Sequence, residues 1–149
     1  MSEKQGNQNW RTPPDFWQWL QKHYGPFDHD FAATATDSLC ASYSTDCLGA
    51  DIPQGRVFCN PPWRLSAALA RRLTSRFHSH GSFIMLCQNA TGDVWWADIA
   101  PYCETVILTP RVAYVDPTGS RRKSPNRGSI LLAWGGPYVP GLIRSERWK

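Results

Sequence analysis

The residues best suited to chemistry are Asn60, Pro61, Pro62 and Trp63, which follow the short apolar run Val57-Phe58-Cys59. β-Branched and aromatic residues fit a covered, pleated surface, so the run predicts the end of a buried strand. Neither proline can extend that strand, because each lacks an N–H and fixes φ at about −65°. Each also biases the residue before it away from the helical region. The expected product is a stiff loop at a strand's C-terminal edge, where open α/β sheets bind ligands. It offers the carboxamide oxygen of Asn60, the carbonyl of Pro61 and the indole of Trp63. Two acceptors and an aromatic face suit a flat ligand carrying an exocyclic NH₂. The plainer reading is an Asn-Pro turn with Trp63 packed into the core.

A second cluster lies upstream. Asp30 precedes the small-residue run Ala32-Ala33-Thr34-Ala35-Thr36. Nucleotide-binding α/β domains place glycines here so that a ligand can approach the backbone. Alanine is the next smallest choice, and Asp30 could accept hydrogen bonds from a cationic amine. Asp46 sits in an aperiodic stretch, Asp37 to Ala50, which is expected to be irregular. Such a stretch could wrap a ligand or simply lie on the surface, with Asp46 a solvated turn residue.

In their order these motifs resemble one family. Asn60-Pro61-Pro62-Trp63 is similar to the (D/N/S)-P-P-(Y/F/W) motif of amino-methyltransferases. Trp10-Arg11-Thr12-Pro13, Asp30-Phe31-Ala32-Ala33, Asp46-Cys47-Leu48 and Phe58-Cys59-Asn60-Pro61-Pro62-Trp63 follow one another as in the phage-type DNA N-6-adenine-methyltransferases. The resemblance spans about Trp10 to Trp134. It implies methyl transfer from S-adenosyl-methionine to the N6 amine of adenine in double-stranded DNA, in the cytoplasm of a bacterial host carrying a phage or prophage. It also implies that Asn60, Pro61, Pro62 and Trp63 form the catalytic loop. Thr12, Pro13, Asp30, Ala32, Ala33 and Asp46 would then lie against the methyl donor. The loop chemistry alone serves cytosine N4 equally, a non-catalytic DNA-binding protein could keep the fold, and the residues do not exclude RNA.

Several elements must position these groups. Thr12 reads as a helix N-cap with Pro13 at the first helical position and Asp15 in capping-box placing. Phe16, Leu20 and Tyr24, helped by Trp17, give that helix its buried stripe, and Gly25-Pro26 stops it. Phe27 to Phe31 predicts a first strand. After the central loop, Leu65, Leu69, Leu73 and Phe77 recur every four residues, joined by Ala68, and predict a helix packed on the sheet. Arg64 stands nearest the loop as a candidate phosphate contact, whereas Arg71, Arg72 and Arg76 read as a solvated face. Further strands are expected at 82–87, 105–108, 112–115 and 129–134, with a short helix at 93–100. Arg121, Arg122, Lys123 and Arg127 crowd a turn-rich loop at 116–128 that suits a DNA backbone, or a hairpin kept soluble by its charge.

Composition bounds the rest. The chain has 149 residues, one domain by length, able to bury about two-thirds of its unfolded surface. The expected class is α/β, a mixed twisted sheet with flanking helices like S-adenosyl-methionine-dependent methyltransferases. The divisions are a disordered 1–9, a domain at 10–136 and a basic tail at 137–149. No long apolar run or signal core argues for a membrane or secreted protein. The five cysteines form no C-x-x-C and the four histidines complete no zinc spacing, so free thiols and no metal are expected. The net charge is +4, and it is unevenly spread. Residues 1–60 hold seven acids and four bases, residues 61–80 four arginines and no acid, and residues 101–149 eight bases and three acids. A polyanion would meet the second half.

Overall fold

The computed structural model of the chain describes residues 11–76, 81–88, 104–109, 129–135 and 143–147. The expectations for residues 1–9, 93–100, 112–115 and 116–128 lie outside these. The element order is α1 (Pro14–Tyr24), β1 (His29–Asp30), β2 (Ser42–Tyr43), β3 (Arg56–Cys59), a 3-10 turn (Trp63–Leu65), α2 (Ser66–Arg76), β4 (Ser82–Gln88), β5 (Glu104–Thr109), β6 (Ser129–Gly135) and β7 (Ile143–Arg147). These strands form one sheet in the order β2-β1-β3-β4-β6-β5-β7. Only β6 runs against its neighbours; the other pairings are parallel. The result is a mixed α/β sheet with flanking helices, consistent with a Rossmann-like methyltransferase fold.

Strands β3, β4 and β6 are buried on both faces, and the period of two along them sorts their side chains between the faces. On one face Phe58, Ile84, Leu86, Leu131 and Ala133 meet Phe16 and Leu20 of α1. On the other, Val57, Cys59, Phe83, Met85, Ile130, Leu132 and Trp134 meet Leu69, Ala70 and Leu73 of α2. Tight entry into the parallel strands requires glycine at one point. Gly81 has φ +67°, and a Cβ there would collide with the carbonyl oxygen of Gly55. That same oxygen accepts the Ser82 N–H at 2.9 Å, tying β4 to the start of β3.

Several local expectations change. Helix α1 begins one residue later than its spacing suggests, with Pro13 as N-cap and no side-chain cap. Pro14 takes the first helical position, and neither Pro13 nor Pro14 has an N–H to offer Thr12; the Phe16 N–H goes to Asp15 Oδ1 at 2.9 Å. The strand expected at Phe27 to Phe31 pairs only at His29–Asp30, since the chain turns into the small-residue loop. The stretch 37–50, expected to be irregular, supplies β2, a two-residue edge strand too short to show a period. In α2 the inward alanine is Ala70, while Ala68 is exposed. The expected basic tail carries β7, which pairs in parallel with β5 from Thr105↔Ile143 to Thr109↔Arg147. No described helix is long and apolar enough to cross a membrane.

Candidate active site

Sheet order fixes where a ligand can sit. From β1 the chain moves outward to β2, then crosses back to place β3 on the other side of β1. The C-terminal ends of β1 and β3 therefore flank a topological switch point, the position where open α/β sheets bind ligands. Asp30 ends β1 and Asn60 follows β3. Asp30 stands opposite Phe58 in the parallel register, so strand geometry separates the Asp30 and Asn60 backbones by only about 8 Å. Paired residues share a face, and Phe58 points toward α1. Asp30 and Asn60 thus emerge on the α1 side of the same edge.

Thr12 joins them from the start of α1. Asn60 Nδ2 donates a hydrogen bond to Thr12 Oγ1 at 3.1 Å. Thr12 is 7 % exposed, Pro13 and Pro61 are buried, and Asn60 and Pro62 are half-buried. The Leu65 N–H bonds to the Pro62 carbonyl at 2.8 Å, which bends the chain straight from the loop into α2. Trp63 opens that bend; its side chain lies outside the described residues.

Asp30 is an ionisable group in a dry place. It is 4 % exposed, and its Oδ2 accepts the Leu39 N–H at 2.9 Å. Burial pushes its pKa up to about 6, partly opposed by the Leu39 and Ala32 N–H groups and reinforced by Asp37. The small-residue loop is pinned beside it. Ser44 N donates to the Asp30 carbonyl at 2.9 Å and Ala33 N to the Ser44 carbonyl at 3.0 Å. Thr45 Oγ1 donates to the Ala33 carbonyl at 2.9 Å. Neighbouring His29 lies on the other face, its Nδ1 2.8 Å from Ser42 Oγ and its Nε2 2.7 Å from Ser44 Oγ. Burial lowers the His29 pKa.

Asp46 is exposed. Its Oδ1 accepts the N–H groups of Leu48 and Gly49 at 3.2 and 3.1 Å, so the carboxylate holds its own turn. Sequence reasoning missed what anchors that turn from α2. Arg72 Nη1 donates to the Cys47 carbonyl at 2.8 Å and Nη2 to the Ala50 carbonyl. Its guanidinium also lies over the Phe31 ring, 5.8 Å from the centroid. Arg72 therefore corrects the expectation of a solvated face. The available signal was its spacing, three residues after Leu69, which sets it on the flank of the buried stripe. Arg64 and Arg71 are exposed. Arg121, Arg122, Lys123 and Arg127 lie outside the described residues.

At the opposite edge of the sheet, Pro26, Asp28, Gly55, Arg56, Gly81 and Ser82 line an open groove of about 440 Å³. None of the residues expected to act in chemistry borders it. Among the described residues no group of three His, Cys, Asp or Glu side chains is placed to hold a metal. The edge described above can instead present hydrogen-bond acceptors to an amine and a carboxylate to a cation.

Comparison with known proteins agrees with this chemistry. The family model described as DNA N-6-adenine-methyltransferase (Dam) matches residues 1–140. No curated protein matches the chain.

Proposed function

The chain belongs to the DNA N-6-adenine-methyltransferase (Dam) family, and from that premise we propose that the edge built by Thr12, Asp30 and Asn60 is its methyl-transfer centre. The activity is adenine-specific DNA methylation, and the family's methyl donor is S-adenosyl-methionine. The observation that carries the assignment is the adjacency of Asp30, the alanine run and Asn60-Pro61 across the β1–β3 switch point. The donor fits these residues: a buried carboxylate whose charge lacks solvent gains from a cationic ligand, and the short side chain of half-buried Ala32 leaves the backbone beside it approachable. Asp30, Ala32, Ala33 and Pro13 would hold it, with Asp46 shaping the neighbouring turn. When bound, the donor supplies an electrophilic methyl group.

The residues of the chain do the rest. The N6 amine of adenine is a weak nucleophile because its lone pair is delocalised into the ring. Asn60 Oδ1 and the Pro61 carbonyl accept the two N–H hydrogens and draw them out of the ring plane, which localises the lone pair toward the methyl group. Such contacts accelerate the reaction where they tighten in the transition state. A neutral amide is too weak a base to keep the proton, which leaves to water after transfer. The target base must be flipped from the duplex to reach this edge, and Trp63 is assigned the stacking that replaces its lost neighbours. Arg64, exposed in the 3-10 turn that leads into α2, is assigned a phosphate beside the flipped nucleotide, and Arg121, Arg122, Lys123 and Arg127 are assigned further phosphates.

Asn60→Ala tests the centre. Methylation of adenine should fall by about a hundredfold to a thousandfold in kcat, with DNA and donor affinities close to wild type. A variant that turns over like wild type would remove Asn60 from the reaction.

A further inference from the structure

We propose that Thr12 is a positioning residue that sets which end of the Asn60 carboxamide meets the substrate amine. The inference rests on the reading of Asn60 given above and adds a residue to it. An amide has a donor end and an acceptor end, interchanged by a half-turn. Only the acceptor end draws hydrogens from an NH₂ group; the other sets N–H against N–H. A threonine hydroxyl can accept from the nitrogen or donate to the oxygen, so it holds the nitrogen end where its own hydrogen is turned away from the amide.

Here Thr12 holds it. Asn60 Nδ2 donates to Thr12 Oγ1 at 3.1 Å across 48 positions of sequence. Three features direct the hydroxyl to this task. Pro13 and Pro14 have no N–H, so the two positions directly after Thr12 offer its hydroxyl no backbone donor. Thr12 itself is only 7 % exposed, which limits the water that can compete for its hydroxyl. The alternation of β3 carries Asn60 to the α1 face, where Thr12 arrives. The residues that open α1 therefore orient the catalytic loop directly.

The test compares Thr12→Val, which keeps the shape and removes the hydroxyl, with Thr12→Ser, which keeps the hydroxyl. Each is made in the wild-type chain and in Asn60→Asp. A carboxylate has two like oxygens, either of which the hydroxyl can donate to, so it has no end to choose. In the wild-type chain Thr12→Val should lower kcat by about tenfold to a hundredfold, the scale of a misaligned reacting group. The KM for DNA and the Kd for S-adenosyl-methionine should stay within about twofold, and Thr12→Ser should recover most of the rate. In Asn60→Asp the same Thr12→Val change should cost little. Equal losses in both backgrounds would assign Thr12 a purely structural role and overturn the proposal. A weakened donor Kd with unchanged saturated kcat would make Thr12 a donor contact, and also overturns it. If Asn60→Asp turns over too slowly to read, the Val and Ser pair decides alone; if Thr12→Val does not fold, Thr12→Ala takes its place. Failure here stays distinct from failure of the site itself. An inactive Asn60→Ala beside a wild-type-like Thr12→Val removes only the positioning role, whereas an active Asn60→Ala removes the reading on which it rests.

Discussion

At the scale of single residues, Asp30 makes the site sensitive to pH. Burial holds its pKa at about 6, above the value near 4 of an unfolded aspartate. Between those values the folded chain binds more protons than the unfolded one, so this residue's contribution to stability falls as pH rises through the window. His29 acts in the opposite sense, because its lowered pKa leaves the unfolded chain binding more protons. The quantity to read is therefore the stability difference between wild type and Asp30→Asn, measured by denaturant melts across the window. The amide should be favoured above about pH 6 and lose that advantage as pH falls toward 4. Donor affinity should run the other way, since a cationic ligand favours the ionised carboxylate. It should tighten as pH rises through about 6 in wild type and stay flat in Asp30→Asn. A flat profile in both proteins would move the donor's cation away from Asp30. Sequence showed Asp30 because an acid stands before a small-residue run. It could not show the burial, which depends on segments that meet only in the fold, Leu39 among them. For the same reason Thr12 read as a cap: the chain alone does not reveal that a residue 48 positions on competes for its hydroxyl.

At the scale of elements, α2 is tied to the loop on its flank as well as to the sheet. The spacing of Leu69 and Leu73 was enough to place the helix. Arg72 looked solvated because its partners, the Cys47 and Ala50 carbonyls, stand 25 and 22 residues before it. Arg72→Ala should remove both hydrogen bonds and the contact over Phe31. The expected cost is about 2 kcal/mol, the scale of hydrogen bonds to a charged group. Faster amide hydrogen exchange should appear at 46–50 while the β3–β4 ladder stays protected. Arg72→Lys should recover only part of the loss, because an ammonium cannot reproduce the planar fork that reaches two carbonyls. Unchanged exchange in the alanine variant would mean that the turn is held by Asp46 alone. The strands followed the same logic. β3, β4 and β6 were legible as apolar runs buried on both faces, whereas β2 has two residues and β7 reads Ile-Arg-Ser-Glu-Arg, with no apolar run to betray it.

At the scale of the whole molecule, the fold class and the reaction were legible because four short motifs share one order along the chain. The DNA footprint is a matter of charge. The sheet brings the ends of β1 and β3 together at the site, while eight of the sixteen basic residues fall in 101–149. Arg121, Arg122, Lys123 and Arg127 lie in a stretch rich in Ser, Pro and Gly. If these four touch phosphates, each displaces condensed counterions, and log K for duplex DNA should fall with log salt by about 0.9 per contact. Neutralising all four should weaken binding at every sequence and flatten that slope by up to about 3.6. Donor affinity and thermal unfolding should hardly move, because the sequence reads this stretch as a charged, turn-rich loop and surface substitutions usually stay within about 0.5 kcal/mol. An arginine that reads a base edge behaves differently: its removal relaxes sequence preference as well as affinity. Titrating one duplex at several salt concentrations, with wild type and the quadruple variant, separates the cases. Identical slopes would make the segment a solvated loop and shift the footprint to the 3-10 turn and α2, where Arg64 and Arg71, respectively, are exposed just after the catalytic loop.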